Sequence, residues 1–370
     1  MQKRLGIILG AFWLIVALAL LIGSFFPDWV SHYYSFGLFQ SIGKGLRTVS
    51  MVSASAIGEY VYLLIVIILI IKLIQYLYKF KNEFNKPNLL PFLIRTVKKL
   101  GMLLVKLYVV FMLLWGLNYQ KASPASSFQL KVDTTYTEAQ LDQLSLTLME
   151  ELNSTRLIVP DSAIVKCTIE QVFAHTVTEF ETIQSSYPFL QLEKPSLKQA
   201  KFPSWGDYIG YMAFYHPITG EAIIRGDVPI LTLPFTSCHE LAHQMGYASE
   251  AEANFIAFVV ASESKDPILK YSMLLQLFTY CQSEQLGLIA KRGSFQDWEK
   301  LASRNKQLLN FKVIQDRKYI REFFAKRQHL LIPASASMYN QFLQWNKQAK
   351  GINSYNDVLL WAIAYKNRNK

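Results

Sequence analysis

Three apolar runs in the first 118 residues decide most of what this 370-residue chain can fold into. Leu5 to Phe26 holds no charged side chain. Tyr60 to Phe80 contains the unbroken stretch LLIVIILII at 63–71 and a single Lys before its end. Leu100 to Leu117 is the third, with Lys106 near one end, where its long side chain can snorkel toward water. About 20 such residues cross the hydrocarbon core of a bilayer. A spanning backbone must satisfy its own polar groups, which a helix does. Lys3 and Arg4 precede the first run in the manner of a signal peptide. That run is longer than a signal peptide's apolar region, however, and no small-x-small cleavage site follows it, so an uncleaved anchor is expected. The expected organisation is a multi-pass α-helical membrane region at 1–118, with transmembrane helices at about 5–26, 60–80 and 100–117. A polar linker at 119–127 and a soluble domain at 128–370 follow.

Loop charges orient these spans. The connector from Lys79 to Lys99 carries Lys79, Lys81, Lys86, Arg95, Lys98 and Lys99 against Glu83 alone. The connector from Pro27 to Glu59 has only Lys44 and Arg47, balanced by Asp28 and Glu59. Basic loops stay on the cytoplasmic side. The N-terminus is therefore expected inside the cell membrane and the large domain outside it. That placement makes nucleic acid a poor partner despite a net charge of +11. The basic side chains near the C-terminus, such as Lys318, Arg321, Lys326 and Arg327, suit an anionic lipid surface or envelope polymer, or simply solubility. Three cysteines, Cys167, Cys238 and Cys281, are too few for a disulfide framework.

Residues 239–243 read HELAH. On a helix, positions i and i+4 share a face, so His239 and His243 can point at one ion with Glu240 beside a water held there. This is the HExxH pattern of zinc metallopeptidases. Cys238 is turned away by about 100° and is expected as a buried small side chain. Thr236 or Ser237 is expected to cap the helix and Gly246 to end it. A catalytic zinc needs a third protein ligand. A second helix opens at Ser249 with Glu250, and Asn254 lies one turn on, giving a ligand and an amide to orient a neighbouring ligand. Glu250 is the preferred third ligand. Glu252 and Glu263 are the alternatives, and the plainest reading makes Glu250 and Glu252 acids favoured by a helix N-terminus.

HExxH followed by a helix bearing ExxxN resembles the gluzincin class of zinc metallopeptidases. The EXXXD second helix of membrane proteases that process prenylated proteins is similar. The order of apolar segments, then WGLNYQ (115–120), then PFTSCHELAHQMGYASEAEANFIAF (234–258), resembles the bacterial membrane-protein family of unknown function numbered 3810. The resemblance implies a zincin-like domain, Zn2+ held by two His and a downstream Glu, and Glu240 as general base. The gap of only seven residues between His243 and Glu250 is shorter than in many gluzincins and demands a tight turn at 246–248.

The fold class expected for the domain is mostly α-helical α+β. Helices are expected at 137–153, 162–183, 267–288, 294–305, 315–329, 338–350 and 354–365, with breaks at Gly287, Pro333 and Gly351. A hairpin is expected at 208–225, turning at 216–220, with an edge strand able to pair with an extended peptide. The expected function is a membrane-anchored metallopeptidase acting on a peptide or protein in the cell envelope. His216, Arg317, His329, Tyr339 and Tyr355 are available to stabilise an oxyanion. The alternatives are a non-catalytic zincin-like scaffold or peptide-binding protein, which has no need to keep Glu240, and a hydrolase of a non-peptide envelope amide. Intramembrane cleavage is not expected, because HELAH lies more than 110 residues beyond the last apolar run. Nothing in the sequence sets the oligomeric state.

Overall fold

The computed structural model describes residues 2–84, 89–133, 135–327, 329–346, 348, 350–351 and 357–368. The N-terminal part contains α1 (Gln2–Gly23), α2 (Pro27–Trp29), a π-helical segment (Val30–Leu38), α3 (Phe39–Ser50), α4 (Ile57–Glu83) and α5 (Leu89–Leu114). Within these, Arg4–Gly23 and Ile57–Glu83 are long and apolar enough to cross a membrane. The third expected span falls on α5, which also carries Arg95, Lys98, Lys99 and Lys106. Helices α1 and α5 run side by side in the same direction, with Gly10 against Met102 and Lys106 over the Trp13 ring at 5.8 Å. Helix α4 meets α5 near their connector, where Tyr76 stacks on Phe92.

After a 3₁₀ turn at Gly116–Gln120, the chain forms α6 (Pro124–Ser127), α7 (Glu138–Ile158), α8 (Asp161–Lys166) and α9 (Ile169–Ile183). The single helix expected at 162–183 is two, because Thr168 starts a new one with a capping box to Gln171. Strand β1 (Leu197–Gln199) precedes α10 (Trp205–Ile209), β2 (Ala213–His216) and β3 (Glu221–Ile224). Strand β3 is central, parallel to β1 and antiparallel to β2, with His216 opposite Glu221. The hairpin and its turn stand where expected, but the first half of the expected strand is α10. Helices α11 (Leu233–Gln244) and α12 (Glu250–Glu263) form the centre. All of α11 except Thr236 is buried, as is α12 from Glu250 to Ala261, so these helices have no polar outer face.

The remaining helices are α13 (Pro267–Arg292), α14 (Phe295–Leu308), α15 (Phe311–Ala325), α16 (Ile332–Trp345) and α17 (Val358–Asn367). Gly287 does not break α13. The helix continues to Gly293, whose φ of +66° suits glycine at a helix end. Pro333 does not separate two helices either. It sits in the first turn of α16, where its missing N–H costs nothing.

The segment before α4 is locked onto the sheet. Glu221, fully buried on β3, accepts the backbone N–H groups of Ile57 (3.1 Å) and Gly58 (2.6 Å) at the start of α4. It also pairs with buried Lys198 of β1 at 2.7 Å. Lys198 in turn donates to the carbonyls of Ser50, Ser53 and Ser55. Glu59 accepts from the N–H groups of Lys201 and Phe202. The expected linker is packed as well, with Asn118, Lys121 and Pro124 buried. Removing one partner of a buried ion pair strands the other charge, typically at about 3–5 kcal/mol. Glu221→Ala is therefore expected to destabilise the detergent-solubilised protein by that order in thermal or denaturant unfolding, and Lys198→Met combined with Glu221→Ala by less. A Glu221→Ala protein as stable as the parent contradicts the coupling.

Candidate metal centre

Helix α11 starts earlier than the motif requires. Thr232 precedes it, Pro234 lies in its first turn, and Thr236 donates to the Thr232 carbonyl, so neither Thr236 nor Ser237 caps it. This places HELAH in the last two turns. Gly246 ends the helix with φ +84°, a left-handed conformation that glycine adopts at no steric cost. A Cβ at Gly246 would meet Asn118 Oδ1 at 2.8 Å and the Phe39 ring at 3.1 Å, so the turn is tight against the membrane-side segment. The carbonyls at the helix end find donors from that segment. Gln40 Nε2 donates to Met245 O (3.0 Å), and Arg47 reaches Gln244 O while holding the Glu193 carbonyl. Helix ends leave such carbonyls without intrahelical partners, and a cation there complements the helix dipole.

The tight turn delivers Glu250 to the two imidazoles. His239, His243 and Glu250 are buried, and their ligand atoms lie within 4.8 Å of one another. Glu250 Oε2 is 3.2 Å from His239 Nε2 and 3.7 Å from His243 Nε2. Ligands at zinc bond lengths in a tetrahedron stand about 3.3 Å apart, so the spacing fits an ion among them. The far sides of both rings are engaged. His239 Nδ1 meets Asn254 Oδ1 at 2.8 Å, and His243 Nδ1 meets the Tyr247 carbonyl at 2.7 Å. The Asn254 amide also hydrogen-bonds Tyr280. Such partners fix tautomer and ring orientation, leaving Nε2 for a metal. Two ring nitrogens and a carboxylate oxygen then lie close together, a buried group that could hold a metal ion.

Electrostatics agree. Burial disfavours a charged His243, but the hydrogen bond and charge of Glu250, then Glu240, outweigh it and raise its pKa to about 9. Burial likewise opposes ionisation of Glu250, and the two rings overcome it and hold this carboxyl well below its ordinary range. Without a metal the cluster retains a proton, and binding an ion releases it. Glu240 is buried, its Oε2 has no hydrogen-bond partner, and burial, only partly offset by the two histidines, raises its pKa. An unsatisfied buried carboxylate oxygen is costly and marks a place for a proton-bearing group.

The alternatives for the third ligand lie elsewhere. Glu263 accepts from Tyr365 and Arg368. Glu252 is buried apart from the cluster, pushed up to about 7 by burial against the attraction of Lys121. Cys238 is fully buried and free, as expected. Tyr339 reaches the site, donating to Glu250 Oε1. His216 is held at Thr219 beside α4, Arg317 bonds Gln282, and His329 packs on Tyr208. Tyr355 lies outside the described residues. Sequence reasoning did not assign Trp115, whose ring meets His243 edge-on at 5.8 Å, or Lys121, whose Nζ lies 3.3 Å from the Tyr247 ring centre. The WGLNYQ string contained the signal for Trp115. The Tyr247 carbonyl, as a backbone atom, had none.

A family profile described as a protein of unknown function (DUF3810) matches residues 34–363. The chain belongs to the DUF3810 family. That match runs from the π-helical segment to α17 and includes all the residues of the metal centre. No curated protein and no solved structure matches the chain.

Replacing His239, His243 or Glu250 with Ala is expected to remove most bound metal, and Glu252→Ala to leave it in place. Asn254→Ala should weaken affinity by about 10–100-fold, the usual cost of losing a partner behind a ligand. Elemental analysis and chelator competition read all five. Metal lost from Glu252→Ala but kept in Glu250→Ala overturns the assignment.

Proposed function

We propose that this DUF3810 protein is a membrane-anchored, zinc-dependent metallopeptidase whose domain lies outside the cytoplasmic membrane. The observation that carries the reading is the buried, unpartnered Oε2 of Glu240 beside the His239–His243–Glu250 cluster. Two imidazoles and one carboxylate are the donor set of a catalytic zinc that keeps a position open. A structural site gains nothing from a stranded carboxylate at its edge.

When bound, the ion polarises a carbonyl and acidifies water. The residues of the chain do the rest. His239, His243 and Glu250 hold the ion, with Asn254 and the Tyr247 carbonyl fixing the rings. Glu240 takes a proton from water and returns it to the leaving amine. Tyr339, exposed on α16, donates its hydroxyl to Glu250 Oε1, and turned from it that hydroxyl would donate to a developing oxyanion. Trp115, itself buried, packs edge-on against the His243 ring.

Anchoring rests on α1 and α4, with α5 as the third span. The parallel α1–α5 pair and the antiparallel α4 put the ends near residues 23, 57 and 114 toward the domain. The basic residues of 79–99 fall at the opposite end, and the positive-inside rule then puts the domain outside.

Glu240→Gln is nearly isosteric and should keep metal and fold while hydrolysis falls by roughly 10²–10⁴-fold. Tyr339→Phe should lower kcat by about 10²-fold if its hydroxyl serves the oxyanion. Comparing membrane peptide fragments from parent and variant cells reads the first. Identical fragments from expressed, metal-loaded proteins favour the scaffold reading instead. Topology has its own test. A cysteine at exposed Ser126 should react with an impermeant thiol reagent in intact cells, and one at Glu83 only after lysis. The reverse pattern places the domain in the cytoplasm.

A further inference from the structure

Helix α16 reads IPASASMYNQFLQW, fourteen residues without a charge, yet it lies on the surface. Met338 is 73% and Trp345 81% exposed. The exposed face mixes these large side chains with uncharged Ser337, Gln341 and Gln344, a composition that suits an interface between water and an apolar phase better than open solvent. The inner side of α16 covers the metal centre. Tyr339 bonds Glu250, and Phe342 packs edge-on against Phe111 of α5 and against Tyr119, each at 6.2 Å. Its first turn is tied to α10, where Ser335 Oγ donates to the Ile209 carbonyl at 2.9 Å and Ile332 lies against Gly210. From α10 the contacts lead to the other apolar helix. Trp205 stacks on Phe202, and Phe202 meets Tyr60 of α4 edge-on at 5.8 Å.

Helices α10 and α16 thus bridge the domain-side ends of α4 and α5. Along this bridge Tyr60, Trp205, Tyr208 and Trp345 are all exposed. Tryptophan and tyrosine, with apolar rings and one polar atom, concentrate where a bilayer meets water. The shelf stands where the apolar helices end, so the surface that meets it is the one those helices cross. Exposed Lys326, just ahead of α16, suits anionic headgroups.

We propose that α10 and α16 form a shelf lying in the outer headgroup layer of the bilayer, with α16 as the roof between lipid and metal centre. The site then opens at the membrane surface, and its substrate is a polypeptide segment held there. This substrate class rests on the hydrolytic reading above, whereas the shelf itself rests only on the membrane anchoring.

Depth measurements in nanodiscs of phosphatidylethanolamine and phosphatidylglycerol test it. An environment-sensitive fluorophore is placed at Met338→Cys, at Leu69→Cys in the middle of α4, or at Lys306→Cys on α14, each with Cys167→Ser. The expected result is quenching of the 338 probe by shallow nitroxide lipids with protection from aqueous iodide, deep-lipid quenching at 69, and iodide quenching at 306. A 338 probe as open to iodide as the 306 probe, with 69 buried in lipid, overturns the shelf and leaves the anchoring intact. Protection at 338 from both quenchers that disappears at one chain per disc assigns the face to a second copy and also overturns it. Iodide access at 69 overturns the anchoring and the shelf together. For substrate delivery, a quenched-fluorescence peptide pool is compared with and without a palmitoyl anchor. Cleavage at least tenfold faster with the anchor is expected, and equal cleavage contradicts delivery from the bilayer. Cleavage of neither pool, with the 338 probe lipid-quenched, counts against the hydrolytic reading and leaves the shelf standing.

Discussion

Three acceptors converge in a buried space, and the rest of the centre follows from what that demands. With both Nδ1 atoms engaged by Asn254 and Tyr247, the Nε2 atoms of His239 and His243 lie near Glu250 Oε2, while Glu250 Oε1 accepts from Tyr339. In a low-dielectric interior such an arrangement persists only with positive charge at its centre. Glu250 outweighs the burial that disfavours a charged His243 and raises its pKa to about 9, and a divalent ion could satisfy all three groups at once. The fully buried helices α11 and α12 hold the ligands rigidly, and the positive φ of Gly246 brings the second helix back within seven residues.

The C-terminal end of α11 is completed by the N-terminal part of the chain. Gln40 and Arg47, from the connector between α1 and α4, bond the carbonyls at its C-terminal end, while Trp115 at the end of α5 covers His243. Glu221 and Lys198 join the sheet to the first turn of α4. Anchor and domain are therefore one cooperative structure across this junction. A change deep in the connector, at Arg47 for example, acts on the helix that carries both His ligands.

Much of the centre was legible because helical periodicity is local. HELAH fixes the relation of His239 to His243, and ExxxN fixes that of Glu250 to Asn254, before any tertiary contact is known. The preference for Glu250 over Glu252 follows from the same geometry, and Glu252 is not among the three grouped residues. What could not be read depends on distant partners or on backbone atoms. The Tyr247 carbonyl carries no side-chain signal, and the roles of Gln40 and Arg47 depend on contacts about 200 residues away along the chain. Distance along the sequence is not distance in space. More than 110 residues separate HELAH from the last apolar run, yet Trp115 at the end of that run touches His243. Breaks fared worst, because Pro333 reads as a stop and is a start, and Gly287 is tolerated within a long helix whose end comes at Gly293.

The central claim is that His239, His243 and Glu250 hold a catalytic zinc. X-ray absorption at the zinc edge, on detergent-purified protein reconstituted with zinc and freed of excess by dialysis, tests it most directly. The account predicts about one zinc per chain, with two imidazole nitrogens and carboxylate oxygen at about 2.0–2.2 Å and room for one further light ligand. Protein that is folded by circular dichroism but retains no zinc, or whose zinc lacks imidazole scattering, contradicts it.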